Sequence, residues 1–183
     1  MLLAFGLAPG AARAAEVEGV KLADSARLES GAALILNGAG LRTRVVFKVY
    51  VGALYLQQKR GTAEAVLSDG GAKRMALHLL RDVSSEQLFS ALSDGLKNNH
   101  TVDQLAKVDA QIKQLEGIFG KVRAVKSGDV FHLDFVPGAG TRVSVNGESR
   151  GAIAGDDFYT ALLRIWLGDR PAEADLKKAL LGG

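Results

Sequence analysis

The order in which strand-like and helix-like segments follow one another constrains the fold of this chain more than any other feature. Strand-like segments dominate residues 16–81, helical patterns run from 84 to 116, strand-like segments return from 122 to 153, and helical patterns close the chain. Strands and helices therefore do not alternate one by one, as they do in βαβ units. This order favours an antiparallel sheet with helices layered on one face, which is an α+β fold.

Local signals predict the positions of individual strands. Residues 45–56 are the strongest strand candidate because they are rich in Val, Phe and Tyr. Gly52 inside this segment predicts a bulge or a close backbone approach. Residues 37–40, which read Asn-Gly-Ala-Gly, predict a turn before the strand. Asn146-Gly147 predicts a β-hairpin late in the chain.

Helix boundaries are also readable. Ser84 followed by Gln87 has the spacing of a capping box, so a helix is expected to begin there. Residues 101–116 carry apolar side chains at helical spacing and predict one continuous helix. Asp156 is expected to cap a further helix that ends at Gly168.

Composition limits the classes of protein to which this chain can belong. Its 183 residues suffice for one domain with a real core, and 48% hydrophobic with 23% charged residues is a globular composition. The formal net charge of +3 comes without a dense basic stripe, which argues against nucleic-acid binding. The chain has no cysteine, which excludes thiol nucleophiles, zinc–thiolate sites and iron–sulfur clusters.

The N-terminus has features of a signal peptide. Residues 1–8 are apolar, Pro9-Gly10 interrupts them, and Ala12-Arg13-Ala14 resembles a signal-peptidase site. The usual positively charged start is missing, which leaves open a truncated signal. A membrane anchor is disfavoured because about 20 apolar residues are needed to span a bilayer, and an unstructured N-terminus is the other alternative. We expect a signal peptide over residues 1–14, a single domain over 15–183, no transmembrane segment, and a periplasmic or secreted bacterial protein.

Motifs for common catalytic and cofactor sites are missing from the sequence. His78, His100 and His132 are widely spaced and form no metal-binding pair, so we predict no metal and no cofactor. Neither a nucleophile elbow nor a phosphate-binding glycine loop occurs in the required context. Asp156 and Asp157 could be paired acids, but a helix cap and first-turn acid explain them more simply.

Arg42 is the most conspicuous candidate for a binding or catalytic role. It lies two residues after Gly40 and shortly before the strongest strand candidate, which contains Tyr50 and Tyr55. A guanidinium at a strand end can hold a carboxylate, a phenolate or an enolate at the rim of a cleft. The alternative interpretation is a solvated arginine with no ligand.

Several segments together resemble a known protein family. Residues 36–42, followed by 47–56, are similar to the N-terminal signature of chalcone isomerase-like proteins, and residues 81–84 and 151–168 agree with it. The similarity covers nearly all of the chain after the predicted signal and is greatest to the exported bacterial branch. It implies an open-faced β-sandwich, in which a large antiparallel sheet packs on a layer of helices with a cleft between them.

The resemblance implies a cleft with a catalytic arginine, but it does not carry over the other polar groups. In the plant enzymes an arginine holds the anionic nucleophile and the enolate, while threonine, tyrosine and asparagine order a water and the substrate. Arg42 corresponds to that arginine, whereas Tyr50 stands in place of the threonine, Leu88 of the tyrosine and Gly95 of the asparagine, and Tyr159 falls near the last polar position. These departures disfavour chalcone isomerisation.

The family also contains noncatalytic fatty-acid binders, in which an arginine and a tyrosine are thought to hold the lipid carboxylate. The resemblance therefore predicts a ligand site with Arg42, Tyr50 and Tyr159. One straight strand would separate the first two by about 26 Å, and a turn at Thr43-Arg44 would reduce this to about 16 Å. We therefore expect Arg42 at the head group and Tyr50 deeper in the pocket, unless the hairpin folds inward.

Three functional hypotheses follow. The first is noncatalytic binding of a small amphipathic or acyl ligand, such as a fatty acid, in the cleft between sheet and helices. The second is an isomerase or intramolecular lyase acting on a chalcone-like enone, with Arg42 stabilising the phenolate or enolate. The third is a module that binds another envelope protein through Leu88, Leu92 and Leu96, although these leucines also fit a helix that faces the core.

Overall fold

A computed structural model describes residues 15–122 and 124–183. The predicted signal peptide lies outside the described residues. In the part of the chain that is described, no helix combines the length and the apolar character needed to cross a membrane.

The strands fall into an early and a late group, as their sequence order predicts. They are β1 (Ala15–Val17), β2 (Val20–Leu22), β3 (Ser25–Arg27), β4 (Ala33–Arg44), β5 (Phe47–Leu56), β6 (Lys73–Leu79), β7 (Val83–Ser84), β8 (Ala124–Val125), β9 (Val130–Val136), β10 (Gly140–Val145) and β11 (Glu148–Ile153).

The helices are short to medium in length. They are α1 (Ala63–Ser68), α2 (Ser85–Asn99), α3 (Val102–Ala106), α4 (Asp109–Gly120), α5 (Asp156–Leu167) and α6 (Ala174–Leu180). The capping box predicted at Ser84 is confirmed, because its side chain accepts from Gln87 N and the Gln87 side chain accepts from Ser84 N.

One large antiparallel sheet organises the fold. Its seven strands follow the order β11-β10-β9-β6-β5-β4-β3, and every neighbouring pair is antiparallel. The hairpin predicted at Asn146-Gly147 joins β10 to β11, with both residues at positive φ as a two-residue turn requires. The sheet with its accompanying helices confirms the α+β fold class.

The two faces of the sheet are covered differently. Helices α2 and α5 pack on each other, α5 contacts β9 and β10, and α4 contacts β11. The main core between this layer and the sheet contains Phe131, Phe158 and Trp166. A smaller core on the opposite face unites Leu22 and Leu28 from the N-terminal segment with buried residues of the central strands.

The turn predicted at residues 37–40 is wrong, because these residues lie inside β4. Asn37 forms a bulge, and its buried side-chain amide donates to Leu180 O at 2.8 Å and accepts from Arg60 N at 2.7 Å. The glycines permit α6 to approach closely: a Cβ on Gly38 would lie 2.1 Å from Ala179 O. The sequence signal therefore marks a helix contact and not a chain reversal.

Of the two features predicted at Gly52, the structure shows a close approach and no bulge: a Cβ there would lie 3.0 Å from the side-chain atom Met75 Cε and 3.4 Å from Leu176 Cδ1. By contrast, the continuous helix predicted for residues 101–116 is wrong. It is divided into α3 and α4 at Val108, whose backbone is not helical (φ −118°, ψ 14°) and whose side chain is buried. A tertiary contact overrides the local helix pattern at this point.

Asp156 does not cap α5 in the predicted way. The N-cap is Gly155 at φ 101°, and Asp156 is the first helical residue. Its carboxylate accepts from Gly138 N at 3.1 Å. It thus acts as a first-turn acid that also ties α5 to the turn between β9 and β10.

Candidate functional site

A pocket of about 370 Å³ lies between the hairpin formed by β4 and β5 and the helix α2. Most of its wall is apolar, and its polar groups gather around the hairpin. The lining residues are Arg42, Arg44, Val45, Phe47, Val49, Tyr50, Arg81, Asp82, Val83, Gln87, Leu88, Ala91, Leu92, Ile165 and Ala172.

The hairpin places Arg42 directly opposite Tyr50. Strand β4 continues to Arg44, the chain turns at Val45-Val46, and β5 begins at Phe47. Paired residues of an antiparallel ladder have Cα atoms about 4.5–5.5 Å apart. The separation of 16–26 Å expected from the sequence is therefore wrong, because the reversal occurs after Arg44 and folds the two residues together.

Tyr50 forms the buried, polar floor of the pocket. Its hydroxyl accepts a hydrogen bond from Trp166 Nε1 at 2.8 Å. Burial raises the pKa of Tyr50 to about 12, although the bond from Trp166 and the charge of Arg42 act in the opposite direction. The phenol is thus neutral at physiological pH. Because the bond to Trp166 uses the oxygen as acceptor, the O–H is able to donate to a ligand.

The Arg42 guanidinium already faces an internal carboxylate. Its Nη1 lies 3.2 Å from Glu173 Oε2, and Glu173 also accepts from Thr43 N and Thr43 Oγ1, both at 2.7 Å. Burial raises the pKa of Glu173, but the hydrogen bonds from Thr43 and the charge of Arg42 outweigh it and leave the pKa lowered. Arg42 is therefore held in place and partly neutralised by a residue from the start of α6.

Two further arginines contribute positive charge at the mouth of the pocket. Arg81 lies over the ring of Phe47, with its guanidinium carbon 4.7 Å from the ring centroid. Neither Arg44 nor Arg81 forms an ion pair with another of the described residues. The neighbouring Asp82 is engaged by Lys126 Nζ at 2.8 Å.

A second, more polar cavity of about 480 Å³ adjoins the first along α2. Both are lined by Arg42, Arg44, Gln87, Ala91 and Ala172. The arginines therefore lie between an apolar pocket and a polar cavity. An amphipathic molecule bound across them would have its apolar part on one side and its polar part on the other.

Tyr159 is not brought to this pocket. It is buried in the core, its hydroxyl donates to Leu133 O at 2.9 Å, and its ring stacks on Phe135 with a centroid separation of 5.2 Å. The structure thus unites two of the three predicted site residues, Arg42 and Tyr50, and gives Tyr159 a packing position.

Sequence reasoning missed four residues around the pocket. Arg81 lies in a segment that carried the family resemblance, Arg44 lies between two such segments, and Trp166 is the single tryptophan of the chain, so each had a signal that could have been used. Glu173 had no such signal in the sequence, because it contacts Arg42 across a separation of 131 residues.

The leucine face proposed for a protein partner is internal. Leu88, Leu92 and Leu96 are all buried, and the first two line the pocket. No cluster of three or more potential metal ligands occurs in residues 15–122 and 124–183.

Comparison with protein families agrees with the architecture. A model of chalcone isomerase-like proteins matches residues 14–182, nearly the whole chain. The chain belongs to the chalcone isomerase-like family. No curated protein matches its sequence significantly.

A solved structure with the same fold belongs to a fatty-acid binding protein of Arabidopsis thaliana. The two chains share 14% sequence identity with a TM-score of 0.62, and the match covers 86% of this chain and 95% of the plant protein. At this identity the likeness establishes the fold. Leu88 lines the apolar pocket and Gly95 the polar cavity, and neither side chain carries a polar group.

Proposed function

We propose that the protein binds a small amphipathic ligand with an anionic head group, such as a fatty acid, and does not transform it. The observation that carries this proposal is the pocket itself: a largely apolar chamber that brings together a neutral buried phenol and three arginines. Its other polar lining residues are Gln87 and Asp82, and Asp82 is paired with Lys126.

The apolar wall suits an acyl chain. Ligand pockets in proteins have volumes of about 300–1,000 Å³, so a volume of about 370 Å³ is adequate but small. Each methylene transferred from water contributes about 0.8 kcal/mol. The pocket therefore favours short- and medium-chain acids, and a longer tail would have to leave through the mouth.

The polar groups suit a carboxylate. Tyr50 offers a donor from the floor of the pocket. Arg44 and Arg81, which form no ion pair with the described residues, offer positive charge at its mouth. Hydrogen bonds to a charged group are worth about 1.5–3 kcal/mol each. Arg42 lies beside Tyr50, and its guanidinium can also bind the ligand carboxylate once that carboxylate displaces Glu173.

An isomerase is less well supported. Cyclisation of an enone requires polar groups that orient a water and the substrate, and Leu88 and Gly95 occupy two of the positions concerned. A plant protein with this fold binds fatty acids, which agrees with a binding function.

The test compares two tyrosine-to-phenylalanine variants. Wild type is titrated calorimetrically with octanoate, decanoate and palmitate, and we expect the shorter acids to bind in the micromolar range. Tyr50→Phe removes the proposed donor and is expected to weaken binding about tenfold.

Tyr159→Phe is the matched control, because it removes a buried hydroxyl that bonds Leu133 O outside the pocket. Its affinity should equal that of wild type. The proposal is wrong if none of the acids binds, or if the two variants lose affinity equally.

We also propose export to the bacterial periplasm, on the basis of the sequence pattern in residues 1–14. Expression from the native gene in a bacterial host, followed by mass spectrometry of the mature N-terminus, should find cleavage after Ala14. An intact N-terminus in a cytosolic fraction would contradict this.

A further inference from the structure

The end of the β4–β5 hairpin is unusually apolar for an exposed loop. Val45 is 90% exposed, Val46 80% and Phe47 56%. The other large hydrophobic residues exposed in the described part of the chain are Ile35 and Val102, each alone. Residues 45–47, here termed the hairpin tip, therefore form a continuous apolar protrusion.

The backbone of the hairpin tip is strained as well as exposed. Val45 has a φ of 58°, in the left-handed region. A β-branched residue is a genuine outlier there, and tight hairpin turns normally use Gly, Asn or Asp. Folding alone would favour such a residue, so the valine points to a role for its side chain outside the fold.

Positive charge surrounds the hairpin tip. Arg44 precedes it, Lys48 follows it, and the Arg81 guanidinium lies over the Phe47 ring. Lys48 is paired with Glu18, whereas Arg44 and Arg81 have no acidic partner among the described residues. The apolar protrusion is therefore framed by two cations that form no ion pair within residues 15–122 and 124–183.

The hairpin tip is continuous with the pocket. Val45 and Phe47 both line the pocket and both reach solvent. Two apolar side chains thus belong both to the pocket wall and to the protruding surface.

We propose that the hairpin tip docks the protein onto a lipid bilayer that carries anionic head groups. Apolar side chains enter the interfacial region while flanking arginines contact lipid phosphates, which is how peripheral proteins combine burial with charge attraction. A stable protein–protein interface needs about 20–30 residues a side, and three consecutive residues are too few. The docking goes beyond ligand binding and does not require an occupied pocket.

The experiment measures co-sedimentation with two kinds of vesicle, phosphatidylcholine alone and phosphatidylcholine mixed with phosphatidylglycerol. Wild type should bind the mixed vesicles, and binding should weaken as salt is raised, because salt screens the arginines. The double variant Val45→Gly/Val46→Ser removes the apolar side chains while glycine suits the left-handed backbone. Its partitioning should fall about tenfold or more.

Val102→Ser is the matched control, since Val102 is 83% exposed on α3, outside the hairpin tip. It should sediment with vesicles as wild type does. A melting curve of each variant shows that it is folded.

Three results would overturn the proposal. They are failure of wild type to bind mixed vesicles, equal binding to both kinds of vesicle, and equal loss in the Val102 control. The first of these results has a further form, in which wild type binds no vesicle but elutes as a dimer in size-exclusion chromatography, while the double variant elutes as a monomer. That outcome would show that the hairpin tip contacts a second copy of the chain instead of a bilayer. Titration with a soluble acid uses no vesicles, so failure of docking and failure of ligand binding are distinguishable.

Discussion

At the scale of single residues, Glu173 controls how much of the charge of Arg42 a ligand can use. Its carboxylate occupies the position on Arg42 that a ligand carboxylate would take, and two bonds from Thr43 hold it there. In the proposed binding mode, the internal carboxylate would therefore compete with the carboxylate of the ligand.

Replacing Glu173 by glutamine should strengthen fatty-acid binding by several fold. Gln keeps a hydrogen-bond acceptor for Thr43 but removes the negative charge, which frees the guanidinium. Glu29→Gln is the control, because Glu29 pairs with Arg142 on the surface at 2.9 Å. Calorimetry that finds weaker binding for Glu173→Gln would mean that Glu173 positions Arg42 and does not compete.

The sequence identified Arg42 and Tyr50 but misjudged their separation. The turn that joins them consists of two valines and has no Gly, Asn or Pro, so ordinary turn signals cannot find it. Glu173 and Trp166 were missed for another reason: their roles arise from contacts made only when α5 and α6 pack onto the sheet.

At the scale of elements, the packing of α2 on α5 depends on Gly95. A Cβ on Gly95 would lie 2.6 Å from Ile165 Cγ2, which is shorter than a van der Waals contact. A Cβ on Gly117 of α4 would have no atom within 4 Å. Replacing each glycine by alanine therefore distinguishes the effect of helix propensity on stability from the effect of packing.

Gly95→Ala should lower the free energy of unfolding by about 1–3 kcal/mol, because overpacking outweighs the gain in helix propensity. Gly117→Ala should raise it by as much as about 1 kcal/mol. Urea unfolding measures both. A stabilised Gly95→Ala would show that the α2–α5 contact is looser than the structure indicates.

Some secondary-structure elements could be predicted from local sequence signals alone. The capping box at Ser84 and the turn at Asn146-Gly147 depend only on neighbouring residues, and both were predicted from the sequence. Residues 37–40 carried an equally strong signal, but their glycines serve the contact with α6. The break at Val108 likewise follows from burial, which no local pattern reports.

At the scale of the whole molecule, His132 links stability to pH. It lies on β9, opposite Ala76 of β6 in the middle of the sheet. Burial lowers its pKa to about 4, and the charge of Arg74 adds to this. Between pH 6.5 and 4 the unfolded chain therefore binds a proton that the folded chain does not, so stability falls as pH falls.

Wild type should lose about 1–2 kcal/mol between pH 7 and pH 5 through this group, after allowance for partial exposure. His132→Gln cannot take up a proton and should show a flatter profile. Chemical unfolding at the two pH values checks this. An equal loss in the variant would place the pH dependence elsewhere, with His78, whose pKa burial also lowers, as the next group to replace.

The central claim is that an acidic ligand occupies the pocket above Tyr50, and the single tryptophan offers the most direct measurement. Trp166 donates its indole N–H to the Tyr50 hydroxyl, so ¹⁵N labelling yields one indole resonance that reports on the pocket floor. Titration with decanoate should move this resonance saturably, with the same affinity that calorimetry gives. An indole resonance that stays fixed while decanoate binds would place the ligand elsewhere and contradict the account.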